Sequence, residues 1–268
     1  MKIHVLAENT ATSPELQAEH GLSLLIEACD TRILFDMGAT SRFAANAAHM
    51  GQILATVDIA IISHGHYDHG GGLLPFLTIN EHAPVWVSPH AFEPHFNANG
   101  KDIGLLPRLA EHPRLHRAPG EQYRLAPGLT LYSGATLPTP YRTEGAGMST
   151  ERDGHLVADD FRHEQYLMVE ENGLRVLFSG CSHRGILNIA QHFRPDVLIG
   201  GFHFMKADME ADAPYLRRAA EVLLAQPTQY YTGHCTGEAA YSFLKPLMGE
   251  RLQSIHTGTV LTLTGPLA

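Results

Sequence analysis

Apolar residues fall in short runs separated by turn-forming positions, and the period of the runs changes along the chain. KIHVLAE (2–8) and LSLLIEA (22–28) read as strands, and RILFDMG (32–38) follows after the turn residues Cys29, Asp30 and Thr31. SRFAANAAHMG (41–51) has the pattern of a short helix, with Ser41 placed as N-cap and Gly51 at its end. VDIAIISH (57–64) is a continuous apolar run, the mark of a strand buried on both faces, and it delivers His64 at its C-terminal end. LLPFLTIN (73–80) then reads as helical.

The segment from about 90 to 164 breaks this rhythm. It is rich in Pro, His, Arg and Gly, and is expected to be largely loop, a lid or an insert; VWVSP (85–89) and LTLYSG (129–134) read as strands around and within it. The last third repeats the organisation of the first. EQYLMVEENGLRVLFSG (164–180) is a hairpin turning at Glu171, Asn172 and Gly173. Next come a short helix (ILNIAQHF, 186–193), a strand (DVLIGGFHF, 196–204) and an amphipathic helix (213–226) with Leu216, Ala219, Ala220, Leu223 and Leu224 on one face. QYYTGHCTG (229–237) is a strand running into a loop, EAAYSFLKPLM (238–248) a helix limited by Pro246, and TGTVLTLTG (257–265) a closing strand. Two β-rich halves, each with helices, predict an α/β fold of αββα layers, with residues 1–268 as one domain.

SHGHYDHGGG (63–72) changes the picture from architecture to chemistry. His64 and His66 alternate, so in extended backbone their rings leave on the same side, while Asp68 and His69 follow at the turn. Imidazole nitrogen and carboxylate oxygen are ligands for zinc and for manganese or iron. Four such groups on one loop can serve two cations, His64 and His66 on one and Asp68 and His69 on the other. Gly70, Gly71 and Gly72 are expected to allow a sharp turn.

Composition narrows the setting. A net charge of −9 argues against a general nucleic-acid-binding face. Three cysteines, odd and sparse, argue for a reducing, cytoplasmic compartment, and no run is long enough to span a membrane. The 18 histidines carry no meaning without position; His20, His49, His82, His90, His95 and His112 have no partner pattern and read as surface or lid residues. Neither a P-loop, a dinucleotide-binding glycine pattern nor a nucleophile elbow is present in the sequence.

HGHYDHGGG resembles the HxHxDH signature of the metallo-β-lactamase-fold superfamily, and the resemblance extends over ILFDMG, GLRVLFSGCSH and YTGHCTG, essentially the whole chain. It implies that Asp36 supports the metal loop, that the strand before Cys181 ends at a metal-bridging position, and that His234 is a ligand of the second ion. SGCSHRGILNI, IGGFHF and GHCTG are similar to the branch that holds an archaeal ribofuranosyl-aminobenzene phosphate synthase and many bacterial members. The chain departs from the wider pattern: the region where a lone histidine ligand would fall reads LYSGATLPTP, and the bridging position holds Cys181. His183 is therefore inferred to complete the first ion's shell, and Cys181 either bridges as thiolate or lines the pocket. His203 either contacts substrate, carries a proton or is a core residue, and Arg184 and Lys206 are candidates for holding a phosphate or carboxylate.

These readings imply two divalent cations, zinc first, and a water activated between them, with Asp68 orienting it. The expected activity is hydrolysis of a small ester, lactone or phosphoester. A synthase or transferase acting on a phosphoribosyl and a pterin-type substrate is the alternative, and an iron redox or sensor protein a third reading. The expected partner is a small molecule, with neither nucleic acid nor membrane; oligomeric state is left open by the sequence.

Overall fold

The computed structural model describes residues 1–265. Two seven-stranded mixed sheets face each other. The first runs Val260–Thr262, Lys2–Ala7, Ser23–Ala28, Thr31–Phe35, Ile59–Ile61, Val85–Val87 and Leu115–Arg117, antiparallel up to Thr31–Phe35 and parallel beyond it. The second runs Leu252–Ser254, Gln229–Thr232, Val197–Ile199, Leu174–Phe178, Gln165–Glu171, Leu129–Ser133 and Gln122–Ala126.

The absence of a polar face in the strand sequences has a simple cause, since both faces of each sheet are covered. Leu24, Ile26, Ile33 and Phe35 point between the sheets, where they meet Leu167, Val169, Val176, Phe178 and Val197. Their chain neighbours Leu25 and Leu34 point outward onto Phe43, Ala47 and Phe76 of helices Arg42–His49 and Leu73–Ile79. On the other side Met168, Leu177 and Leu198 pack on helices Ile186–Phe193, Ala213–Leu224 and Glu238–Met248. The layers are αββα, as the periodicity implies. Among the described residues, no helix is long and apolar enough to cross a membrane.

Three differences from expectation matter. The strand expected over 57–64 pairs only at Ile59–Ile61, so Ile62 to His66 is a loop leaving the sheet edge. The insert is more ordered than its composition suggests: His95–Phe96, Ser149–Arg152 and His155–Ala158 form a small third sheet, and Leu115–Arg117 and Gln122–Ala126 extend the two large ones. Gly71 and Gly72 are not in left-handed backbone; they are needed for close approach, since a Cβ would lie 2.2 Å from the Ala39 and Met37 carbonyl oxygens respectively.

Candidate metal centre

The strands of both sheets end on one rim, and the loops that leave them carry the chemistry. His64 and His66 follow Ile59–Ile61, Asp68 and His69 sit on the short helix Tyr67–Gly70, Cys181 and His183 follow Leu174–Phe178, and His234 follows Gln229–Thr232. All seven side chains belong to buried residues. Metal-ligating atoms of His64, His66 and His183 lie within 4.8 Å of one another, as do those of His64, His69 and Cys181. His234 Nε2 lies 3.2 Å from both Asp68 Oδ2 and His69 Nε2, and Cys181 Sγ is 3.1 Å from His69 Nε2. The structure thus brings every metal-site candidate of the sequence to one place.

The protonation pattern of these rings suits cations. Asp36 is fully buried, and its Oδ2 accepts from His69 Nδ1 at 2.6 Å and from the Ser63 hydroxyl at 2.7 Å. With its proton committed to Asp36, Ser63 Oγ accepts from His64 Nδ1 at 2.9 Å. His234 Nδ1 donates to Asn9 Oδ1 at 2.9 Å, and His183 Nδ1 leans on the Glu144 carbonyl at 3.4 Å. Each ring with its proton on Nδ1 presents a bare lone pair at Nε2. The Nε2 atoms of His64, His66 and His183 are buried without a hydrogen-bond partner among the described residues, a costly arrangement for polar atoms unless something binds there. Burial, and then neighbouring histidines, hold all three imidazoles well below their ordinary pKa and so neutral. These donor atoms fit the divalent cation that the fold implies.

The remaining groups set charge and shape. Burial alone would raise the carboxyl of Asp68, but the His20 and His234 imidazoles beside it outweigh that and hold Asp68 well below the carboxylate range. Burial pulls His69 down, but Asp36 outweighs it and leaves its pKa raised. Burial pushes the Cys181 thiol well above its ordinary value. The Cys235 thiol donates to the Cys181 carbonyl at 3.5 Å. Glu164, which the sequence reading passed over, accepts the His183 N–H at 2.5 Å, the Arg184 N–H at 2.9 Å and the Tyr166 hydroxyl at 2.8 Å, and so shapes the loop of Cys181 and His183.

Two cavities flank the cluster. One of about 300 Å3 is lined by His203, Arg142, Glu144 and Lys206, with the His203 ring 4.2 Å from that of His183. The other, of about 430 Å3, is lined by His234, Glu8, Asn9, Tyr241 and His256. Arg184 is absent from both linings. Its guanidinium donates to the carbonyls of Asp160 and Leu137, so the second cation facing the smaller cavity is Arg142 rather than Arg184. One histidine read as surface or lid is not so: His95 is 1 % exposed and bonded to Asp159; His20 is exposed, as expected, but reaches Asp68 at 3.3 Å. Glu8 and Asn9 were invisible in the sequence because nothing ties the first strand's end to a motif 225 residues later; here Glu8 Oε1 accepts the His234 N–H at 2.6 Å.

Comparison with known proteins agrees with this geometry. Residues 16–203 match the model of the metallo-beta-lactamase superfamily. The chain is 30 % identical, over 97 % of its length and 96 % of the relative's, to a 7,8-dihydropterin-6-methyl-4-(beta-D-ribofuranosyl)-aminobenzene-5'-phosphate synthase of Methanocaldococcus jannaschii. A solved structure described as a metal-dependent hydrolase of the beta-lactamase superfamily superposes with a TM-score of 0.83 at 27 % identity, covering 98 % of this chain and 99 % of that one. Zn(2+)-bound PqqB from Methylobacterium extorquens shares the fold, with a TM-score of 0.60 at 14 % identity over 98 % of this chain and all of that one. On the strength of the family match over most of its length, the chain belongs to the metallo-β-lactamase superfamily.

Proposed function

We propose that the protein is a hydrolase of a small ester, lactone or phosphoester that works with two divalent cations, zinc in the first instance. The observation that carries this reading is the set of three buried Nε2 atoms of His64, His66 and His183, without a hydrogen-bond partner among the described residues, beside the Asp68, His69 and His234 set. His64, His66 and His183 would hold one cation and Asp68, His69 and His234 the other, with Cys181 between them. When bound, such a pair supplies Lewis acidity, polarising the bond under attack and lowering the pKa of water.

The chain's own groups do the rest. The Asp68 carboxylate, held ionised, orients a water or accepts its proton. His203 has its pKa lowered to about 4 by burial, so it is a neutral imidazole at working pH and serves as an acceptor or neutral donor toward the substrate. Lys206 and Arg142 hold an anionic end of the substrate in the smaller cavity. The three free cysteines support a reducing, cytoplasmic setting, and the acidic charge supports a substrate other than nucleic acid.

The resemblance to a synthase favours a second reading, in which the same centre and the same cations serve group transfer from a phosphorylated sugar to an aromatic acceptor. One experiment separates them. Purified protein loaded with zinc is given activated phosphoesters and lactones, and separately a phosphoribosyl donor with a pterin. Turnover of the first set that chelator abolishes, with no adduct from the second, is the expected result; adduct without hydrolysis overturns it.

A further inference from the structure

Gly65 separates the two histidines His64 and His66, so its peptide sets the angle between their rings. One buried histidine bonds that peptide, a second packs against it, and a buried aspartate joins the two. The Gly65 N–H donates to His163 Nδ1 at 3.0 Å. An imidazole that accepts at Nδ1 and is neutral carries its proton on Nε2; His163 Nε2 lies 3.4 Å from Asp159 Oδ2, a charge contact outside hydrogen-bond geometry. The same Oδ2 accepts from His95 Nδ1 at 2.9 Å, while Asp159 Oδ1 accepts the Phe161 N–H at 2.8 Å. On the other side the His95 ring backs Gly65: a Cβ there would lie 2.8 Å from His95 Nε2 and 2.4 Å from the Ala91 carbonyl oxygen.

Resting on the two-cation reading above, we propose that His163, Asp159 and His95 form a clamp on the Gly65 peptide that sets the affinity of the His64, His66 and His183 position for its cation. They are positioning residues. The clamp also assigns work to the 90–164 insert. His95 comes from its start and Asp159 and His163 from its end, joined through the small sheet in which His95–Phe96 pairs with Ser149–Arg152. Further along, the Tyr67 N–H donates to the Ile103 carbonyl, so the insert also holds the residue after His66. The insert is therefore a brace on the metal loop before it is a cover for a substrate.

The rival for the same atoms is a third cation, since His66, His95, Asp159 and His163 offer donor atoms within 4.8 Å of one another. The tautomer argues against it. A cation on His163 Nε2 would need the proton on Nδ1, setting two N–H groups head to head at the 3.0 Å separation seen from Gly65. At the proposed centre the Nδ1 atoms of His64, His69 and His234 instead face acceptors.

The test is zinc titration of His163→Leu and His163→Asn against a chromophoric chelator, with unfolding midpoints of the metal-free proteins. Asn Oδ1 can replace Nδ1 as acceptor for the Gly65 N–H; Leu cannot. In His163→Leu one zinc equivalent, the same one that His183→Ala removes, is expected to weaken by about 10–100-fold while the other is unchanged. His163→Asn should recover most of that loss. If His163→Leu does not fold, Asp159→Asn takes its place and should weaken the same equivalent. Unchanged binding of both equivalents, or equal weakening of both, overturns the clamp. So does a third equivalent in the wild type that His163→Asn removes. A wild type that takes up no zinc refutes the two-cation reading itself, a result distinct from all of these.

Discussion

Asp36→Asn changes one atom and tests the protonation logic of the whole centre. Asp36 Oδ1 accepts the Ser63 N–H at 2.6 Å, and Oδ2 accepts both the Ser63 hydroxyl and His69 Nδ1. An asparagine must turn its NH2 toward one set or the other. Toward Ser63 N–H, two donors meet at 2.6 Å. Toward His69, the ring must become an acceptor at Nδ1, which moves its proton to Nε2 and removes the lone pair that faces His234 and Cys181. Ser63 must then reorient as well, releasing His64 Nδ1. Hydrogen bonds to a buried charge contribute roughly 1.5–3 kcal/mol each, and breaking a buried pair costs about 3–5 kcal/mol, so a loss of about 3 kcal/mol is expected for the metal-free protein. For a chain of this size that is a fall in Tm of about 6–12 °C. Zinc affinity should drop by about 10–100-fold, and for both equivalents, because Asp36 orients one ring directly and another through Ser63. Chelator-competition titration and thermal unfolding in chelator read the two effects separately. Wild-type affinity for both equivalents in a folded Asp36→Asn protein would refute the tautomer argument.

Other outcomes follow from the same geometry. Asn9→Leu removes the acceptor of His234 Nδ1 and should weaken one zinc equivalent by about tenfold, leaving the His183-dependent one intact in the same titration. The metal-free fold should weaken as pH falls. Burial lowers His163 from 6.5 to about 4, so its contribution is intact above pH 6.5 and is lost as the unfolded chain gains a proton between pH 6.5 and about 4. At about 1.4 kcal/mol per unit, the urea stability gap between wild type and His163→Asn should shrink by up to about 3 kcal/mol across that window; a gap independent of pH would count against it. Lys206→Ala with Arg142→Ala should raise KM for anionic substrates far more than for neutral ones at similar kcat, measured by steady-state kinetics.

The legible part of this protein was the part written in local patterns. Apolar runs located the strands of both sheets because burial on both faces leaves few polar breaks, and the spacing of His64, His66, Asp68 and His69 on one short loop pointed to the candidate metal-ligand cluster that the structure gathers. What stayed hidden depends on distance in the sequence. His163 and Glu8 act on Gly65 and His234 through single hydrogen bonds across 98 and 226 residues, and no spacing encodes such a pair. His95 looked like a lid residue because the strand that buries it is two residues long. Arg184 sits beside a metal-site motif but turns to the Asp160 and Leu137 carbonyls, while Arg142, in an uninformative stretch, faces the cavity. Adjacency in sequence was a poor guide to side-chain direction.

Asp36, Ser182, His203 and His234 all have φ between 48° and 61°, and all stand on the rim where the strands of the two sheets end. For a residue with a Cβ this left-handed backbone is disfavoured by roughly 1 kcal/mol relative to glycine. The consequence concerns heredity as much as geometry. A change to glycine relaxes the backbone, but at Asp36 the lost bonds to Ser63 and His69 outweigh that relaxation, so a population of variants selected for heat resistance alone should drift toward glycine first at His203. Selection that also demands the chemistry would hold the imidazole in place, so this part of the rim is where durability and activity pull the gene in opposite directions.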